Sequence, residues 1–315
     1  MEKIKIGISR CLLGENVRYD GGHKWDRFIT DTLGVYLDFA PVCPEVECGL
    51  GVPREAMHLE GDPQNPRLVT VRTKVDCTSR MTSWARQKVK DLEKENLCGF
   101  IFKSGSPSSG MERVKVYGEK GGASKNGVGL FAREFMARFP LLPVEDEGRL
   151  HDPQLRENFI ERIFALKRWR EASADNPTMK TLIQFHSNHK LLILSHSRVH
   201  YQKLGKLVAQ SDLLSFPERI AAYQDLFLEA LHIKATPKKH TDVLHHMMGY
   251  FKKELTSDEK QELLEIIDRY KQGLVPLVVP VTLLHHYVRK TRQPYLEKQF
   301  YLNPHPIELK IRNHV

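Results

Sequence analysis

Cys11, Cys43 and Cys48 lie at or just past the ends of two apolar runs that read as strands, Lys3 to Ser9 and Tyr36 to Val42. Thiolates are the usual protein ligands of iron-sulfur clusters and also bind zinc. Adjacent parallel strands run about 4.8 Å apart, so thiols in the two following loops can reach one metal centre. No CxxC pair accompanies them, and the alternative for each is a buried free cysteine packed as a small hydrophobe. Cys98, inside LCGFIFK, reads as buried in a strand, and Cys77, in VDCTSR, has no evident partner.

Ser104 to Gly110 (SGSPSSG) is dense in hydroxyls and glycines. Such a loop either presents hydroxyls and backbone N–H groups to an anion or a base, or is an ordinary turn. Glu45 follows Cys43 by two residues, and a carboxylate at the mouth of a crevice can carry a proton as general acid or base. Twelve of the 15 histidines come after residue 153, with pairs such as His186 and His189 or His196 and His200 at helical spacing. With no HExxH and no acidic residue recurring beside them, these read as packing or RNA-contacting histidines rather than ligands. Aromatic and basic residues interleave at His200 to Lys203 and Tyr250 to Lys253, where they can stack on bases or belong to ordinary amphipathic helices.

The elements that must position these residues alternate in the first half. Lys3 to Ser9, Tyr36 to Val42 and Leu97 to Lys103 read as buried strands; part of Asp26 to Leu37, Thr82 to Asn96 and Leu130 to Phe139 read as helices. Such alternation predicts an α/β domain around a Rossmann-like parallel sheet. In open sheets of this kind ligands collect beyond the carboxyl ends of the strands, so the loops beginning at Arg10, Cys43 and Ser104 should face one crevice. Punctuation and charge change at Val144 to Pro153. The pattern beyond is helical: Leu155 to Ala172, Thr178 to Leu194, His196 to Ala209, Pro217 to Leu231, Thr241 to Lys253, Ser257 to Gln272 and Pro276 to Lys290. Thr256 with Glu259 has the spacing of a capping box.

At 315 residues, 41% hydrophobic and 28% charged, the chain is globular and long enough for two domains. Residues 1–153 hold 23 Lys and Arg against 22 Asp and Glu, and residues 154–315 hold 25 against 17, so the second half carries a net +8 of the total +9. That excess suits a polyanion such as nucleic acid, or simply a well-solvated surface. The first residues lack the apolar core of a signal peptide, and no run approaches a membrane span, so a cytoplasmic protein without membrane contact is expected. The five cysteines are then expected to be reduced. There is no GxxxxGK[ST], GxSxG or GxGxxG, so no nucleotide cofactor is expected.

SRCLLGENVRYDGG (Ser9 to Gly22), VCPEVECGLGVPRE (Val42 to Glu55) and FIFKSGSPSSG (Phe100 to Gly110), each at a strand end and in this order, resemble the thiouracil desulfurase family. FHSNHKLLILSHS, HTDVLHHMMGYFKKEL and RYKQGLVPLVVP resemble a helical domain formerly of unknown function that occurs alone or fused to the first. The fused arrangement is similar to the tRNA 4-thiouridine desulfidases. The resemblance implies an iron-sulfur catalytic domain over residues 1–150 and a basic helical tRNA-binding domain over residues 154–315. It implies a 4Fe-4S cluster on three cysteines with one iron open, and non-redox conversion of 4-thiouridine in tRNA to uridine with release of sulfide. Glu45 matches the family's proton carrier and Ser106 its assisting serine. Cys11 and Cys43 match two ligands, but Ser109 stands where many members have the third. Cys48 is assigned in its place, with Cys98 in reserve. The alternatives are desulfuration of free thiouracil or thiouridine, and a non-catalytic RNA-binding protein.

Overall fold

Ile4–Ser9 (β1) is buried at five of its six positions, as a strand flanked on both sides within a parallel sheet must be. Leu37–Val42 (β2) pairs with it in parallel from Ile4↔Leu37 to Ser9↔Val42. Three further elements precede the next strand of this sheet: Pro44–Glu47 (α1), Met57–Glu60 (β3) and Arg67–Thr70 (β4). After Thr78–Glu93 (α2) come Phe100–Phe102 (β5), Val114–Tyr117 (β6), Ala123–Gly127 (β7), Leu130–Arg138 (α3) and Val144–Asp146 (β8). The computed structural model describes residues 2–118, 122–174, 176–209 and 214–314. They divide into two compact units, Met1–Leu155 and Arg156–Val315.

The first unit holds the expected parallel sheet, in the order β2-β1-β5-β8. Glycine is required at position 7, where a Cβ would stand 2.2 Å from Phe100 Cδ2 of the neighbouring strand. Phe100 and Phe102 stack at 4.3 Å and meet Phe131 and Phe135 of α3, each fully buried ring contributing roughly 1.5–3 kcal/mol. Met81, Ala85, Val89 and Leu92 form the buried stripe of α2. That helix starts at Thr78 rather than Thr82 because Asp76 and Thr78 fix its first turn: the Thr78 amide donates to Asp76 Oδ1 at 2.8 Å. The helix expected within Asp26 to Leu37 is a single wide turn, Phe28–Thr32, followed by a tight one, Leu33–Val35.

A second sheet, in the order β4-β3-β6-β7, was not anticipated. Only its β3–β6 pair is parallel. Its strands are four or five residues long, and β6 (VKVY) alternates buried valines with exposed Lys115 and Tyr117.

The second unit is helical: α4 (Pro153–Ser173, entered from the first unit), α5 (Met179–His196), α6 (Arg198–Ala209), α7 (Phe216–His232), α8 (Pro237–Met248), α9 (Ser257–Lys271), α10 (Val278–Thr291) and the short α11 (Pro294–Glu297). The capping box at Thr256 and Glu259 is formed in both directions. Among the described residues no helix is long and apolar enough to cross a membrane.

Trp169, Phe185, Tyr223 and Phe227 make the aromatic centre of this unit. His186 and His189 pack against this centre, and among the described residues no histidine pair belongs to a ligand set. His189 stacks between Phe185 and Phe300, and His186 and His240 bond to the hydroxyls of Tyr223 and Tyr301. His196 does have an acidic partner, Glu161, which also accepts from Arg312 Nη2 at 3.0 Å, so one buried network ties α4, α5 and the C-terminal segment together. Phe251 is wholly buried and cannot stack on a base.

Burial pushes His186 and His240 down to about 4 and His189 well below its ordinary value. These rings stay neutral in the fold and protonate on unfolding. Between about pH 6.5 and 4 the unfolded chain therefore binds more protons, and stability falls with pH at about 1.4 kcal/mol per unit for each histidine. Burial opposes the charge of Glu161, but His196 and Arg312 outweigh it and hold the carboxyl low, so this group adds to the loss below its unfolded value. The urea midpoint of α5 and α8, followed by hydrogen exchange, is expected to drop steadily from about pH 7 to 5. A level midpoint would contradict the neutral, buried imidazoles.

Candidate active site

The register of the parallel sheet brings three loops to one edge. Ser9 lies beside Val42, and the Lys103 amide donates to Ser9 Oγ at 2.9 Å. The chain therefore leaves β1, β2 and β5 at one level, as the sequence pattern predicts. The loops enclose a cavity of about 410 Å³ whose wall includes Cys11, Cys43, Glu45, Ser106 and Ser109.

Cys43 is the residue before α1, and its amide donates to Glu47 Oε1 at 2.8 Å. Glu47 also lies 2.8 Å from Lys88 and 3.6 Å from Arg10, the neighbour of Cys11, so one carboxylate fastens both cysteine loops. Glu45, two residues earlier on α1, stands 3.6 Å from Cys43 Sγ and 3.7 Å from Arg54 Nη2. Its other oxygen accepts from Ser108 Oγ. Ser108 Oγ lies 3.0 Å from Ser106 Oγ, which accepts the amides of Ser108 and Ser109 at 3.3 and 3.1 Å. A hydroxyl relay thus runs from Ser106 through Ser108 to Glu45.

The hydroxyl loop is pinned to α3. The Ser108 carbonyl accepts from the Phe131 and Ala132 amides at 2.9 and 3.1 Å, occupying donors that a helix start leaves open. Gly129 permits this approach, since a Cβ there would lie 2.5 Å from the Ser108 carbonyl.

Burial raises Cys11 to about 11, with Lys103 partly offsetting it and Glu45 adding to it. Burial and then Glu45 raise Cys43 to about 12 and Cys48 to about 11. One carboxylate acts on all three thiols. They are neutral thiols near pH 7, and a cation binding them must displace their protons. Arg18, Lys24, Arg54 and Lys103 also line the cavity and favour that ionised state.

Cys48 is absent from the wall. It ends α1 with its thiol donating to the Glu45 carbonyl at 3.4 Å, packed against the cluster containing Leu59, Cys77 and Val116. Cys98 is taken out of the candidate set. Its amide bonds to Lys5 O near the opposite end of β1, some four residues or about 13 Å along the strand from the cavity edge. Among the described residues, no three His, Cys, Asp or Glu side chains gather to hold a metal ion. Sequence reasoning missed Ser108 and Arg54, whose partner Glu45 is across the fold in one case and beyond a glycine-rich turn in the other.

A family model described as 2-thiouracil desulfurase matches residues 6–147, and one described as protein of unknown function (DUF1722) matches residues 190–306. The chain is 33% identical over 158 residues to the uncharacterized protein YbgA of Escherichia coli (strain K12), covering 50% of this chain and 94% of that protein. Among solved structures it is similar to the 4Fe-4S-dependent thiouracil desulfidase TudS, at 31% identity over 48% of this chain and 95% of that one, with a TM-score of 0.39.

Proposed function

The chain belongs to the 2-thiouracil desulfurase family through residues 6–147 and to the DUF1722 family through residues 190–306, and from that footing we propose that it is a 4Fe-4S desulfidase converting 4-thiouridine in tRNA to uridine. One observation carries this: two thiols, a carboxylate and a hydroxyl loop share a cavity beyond the ends of three parallel strands.

Cys11 and Cys43, which stand on the cavity wall among cationic side chains, would supply two of the three thiolates that such a cluster takes. The third ligand is assigned to Cys48, at the far end of the helix that Cys43 begins. When bound, a cluster with one iron free of protein ligands supplies a Lewis acid for the thiocarbonyl sulfur.

The protein's own groups manage water and protons. Glu45 takes a proton from the water that adds to the ring carbon and returns it toward the departing sulfur, so that C=S and H₂O become C=O and H₂S. Ser108 orients that carboxylate at one oxygen and Arg54 at the other. Ser106, reaching Glu45 through Ser108, positions the water.

Anaerobically purified wild type is expected to contain iron and acid-labile sulfide and to release sulfide from thiolated tRNA, whereas Cys11→Ala should lose both. Equal sulfide release by the two proteins would reject the proposal. Free thiouracil is the second reading, supported by the family's description and by a cavity within the usual range for a small ligand. Salt separates the two, since phosphate contacts weaken steeply as it rises and binding of a neutral base does not.

A further inference from the structure

A second, larger depression of about 720 Å³ adjoins the thiol cavity and shares Met57, Ser104, Gly105 and Pro107 with it. Its far wall is the exposed face of the β6–β7 hairpin and the turn before it, carrying Arg113, Lys115, Tyr117 and Lys125. We propose that this groove on the catalytic unit binds the ribose-phosphate chain flanking the thiolated base; the inference rests on the RNA substrate proposed above.

Charge gives the first argument. The groove's acidic residues are already engaged: Glu112 pairs with Arg149 at 2.6 Å, and Asp146 accepts the Arg149 amide at 2.9 Å. Arg113, Lys115 and Lys125 are exposed and have no ion-pair partner among the described residues. Three exposed cations without an ion-pair partner among the described residues, on this hairpin and the turn before it, fit a polyanion rather than a neutral base.

Shape gives the second. Tyr117 is 41% exposed although its ring is held edge-on against His58, with centroids 4.8 Å apart. His58 is itself fixed to Glu60 at 2.6 Å. A braced aromatic beside a row of cations is the arrangement that stacks an unpaired base while its phosphates are neutralised. A base in the thiol cavity would leave its neighbours at the shared Ser104–Pro107 rim, where the groove begins. Sequence-level charge counting points instead to the second unit, because the three cations are diluted in a half that is nearly neutral.

The test titrates holoenzyme with fluorescent 4-thiouridine tRNA across a salt series and measures turnover of free thiouracil in parallel. The triple variant R113Q/K115Q/K125Q is expected to bind the tRNA at least about tenfold more weakly at moderate salt, with a log–log salt slope shallower by about 2 to 3. Tyr117→Ala should weaken binding by about tenfold with the slope unchanged. Free thiouracil turnover should stay close to wild type in both, which also shows that they fold. Unchanged tRNA affinity and slope in the triple variant would overturn the groove while leaving the substrate assignment standing. A wild type that consumes thiouracil but neither binds nor desulfurates the tRNA would overturn both.

Discussion

Glu45→Gln is expected to lower turnover of thiolated substrate by about 10² to 10⁴-fold, the usual contribution of a positioned acid-base group, with iron and sulfide content at the wild-type level. Glutamine nearly preserves the volume of the side chain and can still accept from Ser108 Oγ, so the relay from Ser106 survives. What it cannot do is take up and return the water proton. The loss should therefore fall on kcat, with KM little changed, because substrate contact and loop geometry are retained. Glu45→Asp keeps the carboxyl but withdraws it by one methylene from Ser108 and Arg54, and is expected to lie between glutamine and wild type. Glu45→Gln with near wild-type turnover on a fully loaded cluster would remove Glu45 from the chemistry. Loss of the cluster in that variant would instead make it a structural partner of the neighbouring thiols.

The cavity was legible because continuous apolar runs ending in Cys, Ser or Gly both specify parallel strands and say where their loops gather. β1, β2 and β5 are found within the stretches expected for them, and their loops share the cavity. The second sheet was not legible, since strands such as ASKNG at β7 carry neither an apolar run nor clear alternation, and hold their place through pairing with β6. The same limit hid the last strand of the first sheet: Val144–Asp146 opens the stretch that reads as a domain boundary by its charge, yet Glu145 and Asp146 are buried beside β5. In the second unit, α8 begins at Pro237 behind a Thr236 cap, four residues before the expected start. Proline at a first helical turn is compatible with a helix and was the overlooked signal. Ser108 and Glu45 are 63 residues apart and His196 and Glu161 are 35 apart, so those pairings exist only once the chain is folded.

The second large effect concerns the substituted third ligand. Cys48→Ser is expected to leave the protein unable to retain its cluster, and adding Ser109→Cys to that variant is expected to restore iron, sulfide and turnover together. Ser109 lies on the cavity wall, 3% exposed, with its amide held by Ser106 Oγ at 3.1 Å. A thiol there would line the same cavity as Cys11 and Cys43, whereas a hydroxyl is a poor substitute for a thiolate on iron. Cys43 and Cys48 bracket a single short helix, five residues and so about 7.5 Å of axial rise apart, and both feel the charge of Glu45. Ligation by Cys48 asks the end of the single-turn α1 to swing this thiol away from the Leu59 and Val116 cluster toward that carboxylate, with the parallel sheet unmoved. Because serine at a half-buried apolar contact costs about 1–3 kcal/mol in its own right, Cys48→Ala is the companion variant that separates lost ligation from lost packing. Rescue by a thiol at position 109 in either background identifies the deficit as a missing ligand, since it cannot mend a packing defect at position 48. Full iron content in Cys48→Ala without rescue would mean that the cluster stands on another set of donors, and the assignment of Cys48 would fall.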